Sequence, residues 1–139
     1  LYAGLGYGGS CFPKDLVALT HFQKSNNLQS LLIQATQDRN LNNITRFVNK
    51  ILSSFRVQKE VSIMVWGAAF KPDTDDIRES LAIKVIEEIS NKFKTVYVYD
   101  PEAGKNAKAK LAGRNNVFFT KSKYINLSKC DALVICTEW

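Results

Sequence analysis

Val61-Ser62-Ile63-Met64-Val65-Trp66-Gly67 decides the fold, because a short, mostly apolar run closed by a glycine is typical of a strand buried in a parallel sheet. Apolar residues then recur at helical spacing over residues 81–93, behind Ser80 as the expected N-cap. Residues 107–112 are weakly helical in pattern. Three later runs are predicted to be extended: residues 96–99, 117–119 and 132–136. This alternation predicts an α/β fold with a small doubly wound, Rossmann-like parallel sheet.

A long helical pattern precedes this region and covers residues 28–56. Such a helix would be about 40 Å long, and helices longer than a small core requires often carry oligomer contacts. The alternative is two shorter helices that break around residues 40–43. A shorter helical pattern covers residues 15–25. The polar segment at residues 57–60 predicts a domain boundary, which divides the chain into residues 1–57 and 58–139.

The segment Gly8-Gly9-Ser10-Cys11-Phe12-Pro13-Lys14-Asp15 is expected to be a tight loop that opens a helix. Its glycines allow positive φ and close approach to a ligand, and Pro13 suits the first helical turn. Cys11 then lies just before the helix N-terminus, where the macrodipole and nearby Lys14 favour a thiolate. Asp15 follows four residues later and could hold or activate a water beside the sulfur. The segment therefore predicts a reactive cysteine.

The composition excludes several classes of partner and site. No run approaches the roughly 18 apolar residues of a membrane span, so we expect no membrane partner. The 19 Lys and Arg exceed the 13 Asp and Glu, giving a net charge of +6, but they alternate with acids and match no nucleic-acid-binding pattern. The cysteines lack the paired spacing of a metal site or a disulfide scaffold, which predicts no metal and a cytoplasmic location. They are Cys11, Cys130 and Cys136.

Residues 67–80 follow the first predicted strand, at the end of a parallel sheet where ligands bind. Phe70 can stack on a ring, Lys71 can bind a phosphate, and Arg78 can fork onto a phosphate or a carboxylate. The aspartates of this segment lack the spacing of a calcium loop. We expect them to cap the loop or to pair with Arg78 or Lys71.

Both segments resemble the nucleotide-sugar 6-dehydrogenases, the family that includes the UDP-glucose and GDP-mannose 6-dehydrogenases. Gly8–Asp15 is similar to the family's active-site segment, and residues 67–80 are similar to the segment that opens its C-terminal domain. Val98-Tyr99-Asp100-Pro101 and Thr137-Glu138-Trp139 are also similar, so the resemblance covers nearly the whole chain. It implies a central helix that forms a homodimer and a UDP-binding domain over residues 58–139.

The resemblance also implies a role for each site residue. Cys11 would be the catalytic nucleophile, and Asp15 would place or activate a catalytic water. Lys14 and Arg78 would contact the cofactor NAD. The contacts to the UDP-sugar substrate would be Tyr2, Ala3, Gly4, Gly8, Phe70 and Lys71.

Gly4, Gly6 and Gly9 match the spacing of a dinucleotide-binding fingerprint. No predicted strand precedes them, and no acid follows at the required distance, so we interpret this match as a false one.

The implied reaction oxidises UDP-glucose to UDP-glucuronate with two NAD, through a thiohemiacetal and a thioester on the cysteine. Residues 71–80 and the Thr-Glu-Trp ending favour UDP-glucose. The alternatives are a different substrate, either GDP-mannose or a UDP-N-acetylhexosamine, or a non-catalytic module that binds a nucleotide sugar and dimerises. The resemblance further implies a fragment that lacks the N-terminal NAD-binding domain, so we expect this chain to be inactive alone.

Overall fold

A computed structural model describes residues 4–29 and 31–139 as an α/β structure. Two 3-10 helices, Gln58–Glu60 and Leu127–Lys129, accompany the main elements. The helices are α1 (Phe12–Ser25), α2 (Leu31–Ser53), α3 (Leu81–Ser90) and α4 (Gly104–Lys110). The strands are β1 (Ser62–Trp66), β2 (Thr95–Tyr99), β3 (Val117–Phe119) and β4 (Ala132–Ile135).

The four strands form one all-parallel sheet in the order β3-β2-β1-β4, which confirms the predicted fold class. Strand β1 is central because its side chains are nearly all apolar and tolerate burial on both faces. The carboxyl end of β1 therefore lies between those of β2 and β4. Segments that leave this end of the sheet are brought close together.

The core lies between one face of the sheet and the helices. Alternate strand residues point toward α3, and four of them are fully buried: Ile63, Val65, Val96 and Val98. Helix α3 begins at its N-cap Ser80, whose hydroxyl accepts a hydrogen bond from the Ile83 amide and donates one to the Ala68 carbonyl at 2.7 Å. This cap joins the start of α3 to the loop that follows β1.

Helix α2 is one continuous helix, so the alternative of two helices broken around residues 40–43 is wrong. Its 23 residues make it about 35 Å long, which is shorter than the pattern predicted. It buries Asn40, Ile44 and Val48, a stripe at four-residue spacing, and it packs against α3. None of the described helices has the length and apolar character that a membrane crossing requires.

A buried carboxylate joins β2 to the loop after β1. Asp100 directly follows β2 and is only 6% exposed. One of its oxygens accepts hydrogen bonds from the amides of Ala68 and Ala69 at 2.7 and 3.0 Å. The other accepts from the amides of Glu102 and Ala103, at 3.0 and 2.6 Å. Asp100 therefore orders the backbone that leads into residues 70–80.

Candidate active site

Cys11 is the N-cap residue of α1, as the sequence predicts. Pro13 lies in the first helical turn, and the Cys11 carbonyl accepts the Asp15 amide at 3.0 Å. The Cys11 side chain is exposed, and its Sγ lies 3.7 Å from the Ser10 hydroxyl oxygen. An exposed thiol at the positive end of a 14-residue helix has the setting of a reactive cysteine.

Two cationic side chains, Lys14 and Arg78, lie on the segments that carry and contact the cysteine loop. The Lys14 ammonium lies 2.9 Å from an Asp15 carboxylate oxygen. This hydrogen bond is the main cause of the raised pKa of Lys14, and negative charge on Cys11 would raise the pKa further. Asp76 is the main cause of the raised pKa of Arg78, and Cys11 contributes there too. Lys14 and Arg78 are therefore both held by a neighbouring carboxylate.

The cysteine loop docks on the segment that follows β1. The Gly9 amide donates a hydrogen bond to the Arg78 carbonyl at 2.9 Å. A Cβ on Gly8 would overlap the Glu79 carbonyl oxygen, and a Cβ on Gly9 would overlap the Phe70 ring. Gly9 also has a φ of +84°, which favours glycine. Only glycines allow this approach, so both motifs of the sequence meet at one place.

The docking predicts that Gly8→Ala destabilises the chain by about 1 to 3 kcal/mol, because the added methyl group forces the Glu79 backbone away. Urea unfolding of the purified chain measures the free energy difference. Gly113→Ala is the matched control, since a Cβ there meets no atom within 4 Å among the described residues. Equal stability of the two variants would show that the loop does not dock in this way.

Residues 70–80 hold their charged groups in an ordered loop. Asp76 accepts the Arg78 guanidinium through both carboxylate oxygens, at 2.7 to 3.1 Å, and this hydrogen bonding lowers the pKa of Asp76. The Lys71 ammonium is exposed, with its Nζ 5.5 Å from the centroid of the Phe70 ring. The side-chain amide of Asn106, on α4, donates hydrogen bonds to the backbone carbonyl and a carboxylate oxygen of Asp75. The expected pairing of an aspartate with Arg78 is confirmed.

The structure does not bring every predicted site residue to this place. Gly8, Phe70 and Arg78 meet where the loop docks. Cys11 lies two residues after Gly9, whose amide makes the docking hydrogen bond. Gly4 instead lines an open cleft of about 820 Å³ between α2 and the end of β4. Tyr2 and Ala3 lie outside the described residues. Within residues 4–29 and 31–139, no three His, Cys, Asp or Glu side chains group as metal ligands would.

Sequence reasoning missed Asn40, a buried polar residue on α2. Its side chain makes two hydrogen bonds with the Tyr7 backbone, four residues before Cys11. The available signal was its position, because residues 40, 44 and 48 share the buried helix face. A polar side chain in such a stripe requires a hydrogen-bonding partner.

The other two cysteines have different surroundings, as expected for core or near-core thiols. Cys136 packs against the core, and burial raises the pKa of its thiol to about 12. Cys130 is half-buried, and its thiol donates to the Asn126 carbonyl at 3.2 Å. Burial raises the pKa of Cys130 as well. Of the three thiols, Cys11 is the exposed one.

Alkylation should distinguish these thiols. With iodoacetamide at pH 8, we expect Cys11 to be labelled in the native chain and Cys136 only after unfolding. At a pKa of about 12, roughly one Cys136 in 10⁴ is a thiolate at this pH. Peptide mass mapping at successive times measures both rates. Labelling of Cys136 as fast as Cys11 would contradict the assignment.

Comparison with known proteins agrees with this architecture. Residues 64–139 match the UDP binding domain of the UDP-glucose/GDP-mannose dehydrogenase family, and residues 1–42 match its central domain. The UDP-glucose 6-dehydrogenase of Rhizobium meliloti is 37% identical over 140 residues, covering 100% of this chain and 31% of the relative. UDP-glucose 6-dehydrogenase TuaD of Bacillus subtilis is 37% identical over 139 residues, covering 100% of this chain and 30% of the relative.

A solved structure shows the same arrangement of elements. The UDP-glucose dehydrogenase of Pyrobaculum islandicum superposes with a TM-score of 0.87 at 34% identity, over 99% of this chain and 31% of that one. The sheet and its docked loop define an α/β protein of the doubly wound class. The chain belongs to the UDP-glucose/GDP-mannose dehydrogenase family. It spans about a third of the length of the curated relatives it matches.

Proposed function

We propose that this chain is the cysteine-bearing and nucleotide-sugar-binding part of an NAD-dependent UDP-glucose 6-dehydrogenase. The supporting observation is the docking of the loop that carries Cys11 on residues 70–80, where Gly8 and Gly9 lie against Glu79, Phe70 and the Arg78 carbonyl. The overall reaction converts the C6 alcohol of the sugar and one water to a carboxylate.

The substrate is anionic and the proposed binding groups are complementary to it. Lys71 supplies a point charge for the diphosphate, and the Phe70 ring supplies an apolar surface. Gly8 lets its backbone approach the ligand closely. Tyr2, Ala3 and Gly4 are also proposed as contacts to the substrate, and Gly4 lines the cleft between α2 and the end of β4.

The exposed cations beside Cys11 fit a dinucleotide. Lys14 and Arg78 are each more than two-thirds exposed, so an anionic pyrophosphate can reach both cations. The pairing of Arg78 with Asp76 fixes the direction of its guanidinium group. NAD, when bound, accepts a hydride in each of the two oxidation steps.

Cys11 acts after the alcohol has become an aldehyde. Its thiolate adds to the aldehyde carbon, and the oxygen takes up a proton, which gives a thiohemiacetal. Loss of a hydride and a proton from this adduct gives a thioester. Water then attacks the thioester carbon, releases the carboxylate and returns the thiol. The covalent adduct keeps the aldehyde from leaving between the two oxidations.

The proposed role of Asp15 is to assist the attacking water. Its carboxylate is exposed on the first turn of α1, four residues after Cys11, and accepts a hydrogen bond from the Lys14 ammonium. A carboxylate in this position can orient a water or accept its proton. The Lys14 ammonium, in turn, orients the Asp15 side chain.

The domain boundary at residues 57 and 58 and the homodimer are also proposals. Several apolar side chains on and beside α2 are exposed, including Leu31, Leu32 and Leu41, and these support dimer contacts through this helix. A cytoplasmic location supplies the reducing conditions that a catalytic thiol requires.

The proposed function is tested on the full-length natural polypeptide that carries this chain. With NAD and UDP-glucose we expect two NADH for each carboxylate formed, and a lower rate with GDP-mannose or a UDP-N-acetylhexosamine. Absorbance at the NADH band and chromatography of the sugar nucleotides measure both products. The 139-residue chain alone is expected to form no NADH. Faster turnover of either other nucleotide sugar would contradict the proposed substrate.

A further inference from the structure

Asn40 connects α2 to the loop that carries Cys11. Its side chain is 9% exposed, so its amide group cannot rely on water for hydrogen bonds. The Asn40 Oδ1 accepts the Tyr7 amide at 2.9 Å, and the Asn40 Nδ2 donates to the Tyr7 carbonyl at 2.9 Å. Both functional groups of the side chain are thereby used on one residue of the loop.

The fit of this side chain depends on Gly6. A Cβ on Gly6 would overlap the Asn40 Oδ1, and Gly6 has a φ of +155°. Asn40 therefore lies directly against the loop backbone. Asparagine suits the site because its short side chain carries both an acceptor oxygen and a donor NH2 group. Aspartate would lack the donor, and alanine would lack both groups.

Tyr7 connects the backbone held by Asn40 to the start of α1, next to Cys11. Its ring meets the Phe12 ring edge to face, with 4.7 Å between the centroids. Phe12 directly follows Cys11 and is the first residue of α1. On the other side of Tyr7, the Gly9 amide is held by the Arg78 carbonyl. The loop is thus held at two points, and Cys11 lies two residues beyond the second.

We propose that Asn40 is a positioning residue for Cys11, which it holds where the thiol can reach the aldehyde carbon. This inference rests on the proposed function. Misplacement of a reacting group by about 1 Å can lower a rate by about 100-fold. Loss of Asn40 should therefore slow the step that needs the thiol, whereas the first oxidation, which does not need it, should proceed.

The test compares the two half-reactions in the full-length polypeptide. In Asn40→Ala we expect oxidation of the supplied UDP-sugar 6-aldehyde to fall about 10- to 100-fold. The first oxidation, measured with hydroxylamine present to trap the aldehyde, should fall less than about threefold. Asn40→Asp should show the same imbalance to a smaller degree. Amide hydrogen exchange should become faster at Tyr7, independently of NAD.

Asn42→Ala is the matched control, because Asn42 is an exposed residue of the same helix. It should change neither half-reaction. An equal fall in both half-reactions of the Asn40 variants would overturn the inference, as would unfolding of both variants, since Asn40 would then support the fold and not the thiol. If the wild-type polypeptide forms no NADH with UDP-glucose, the proposed function fails instead.

Discussion

Cys11→Ser in the full-length polypeptide should lower the rate of UDP-glucuronate formation at least about 1,000-fold, because serine cannot form the thiohemiacetal and thioester at neutral pH. The exposed Cys11 side chain makes few packing contacts, so the variant should fold normally. Its first oxidation should persist, and aldehyde should be trapped by hydroxylamine. Chromatography of the sugar nucleotides measures the acid and the trapped aldehyde.

Cys130→Ser is the matched control for this substitution. Cys130 is half-buried, and a serine hydroxyl can make the same hydrogen bond to the Asn126 carbonyl. We expect its turnover to stay within about twofold of wild type. Turnover of Cys11→Ser within tenfold of wild type would leave only the non-catalytic binding and dimerisation role for this region.

Asp100→Ala should lower the free energy of unfolding by about 4 kcal/mol, which corresponds to a fall in melting temperature of about 10 °C or more. The alanine leaves four backbone amides without their acceptor. The amides of Ala68 and Ala69 belong to residues at most 1% exposed, so water cannot easily replace the carboxylate. Urea and thermal unfolding of the purified chain measure the effect.

Glu102→Ala is the control for Asp100→Ala. It also removes one negative charge, and Glu102 is an exposed side chain two residues further along the chain. Its expected effect is within about 0.5 kcal/mol. A similarly small effect of Asp100→Ala would mean that the loop after β1 does not depend on the buried carboxylate.

The sequence predicted the sheet well because its signal is local. The apolar run at residues 61–66 becomes central β1, and the run at residues 117–119 pairs as edge strand β3. Helix α2 was predicted too long, because apolar periodicity continues past the point where the backbone leaves the helix. The choice between one helix and two could not be made from residues 40–43, because three of these four residues are asparagines, which often interrupt helices.

The sequence by itself determined that Cys11 lies in a glycine-containing loop directly before a helix, since Pro13 and the helical pattern act on neighbouring residues. Only the tertiary structure decided what holds that helix start in place. The partners are distant in sequence: Asn40 is 33 residues from Tyr7, and Arg78 is 69 residues from Gly9. Contacts of this kind depend on how the elements pack, and no local pattern of side chains encodes them.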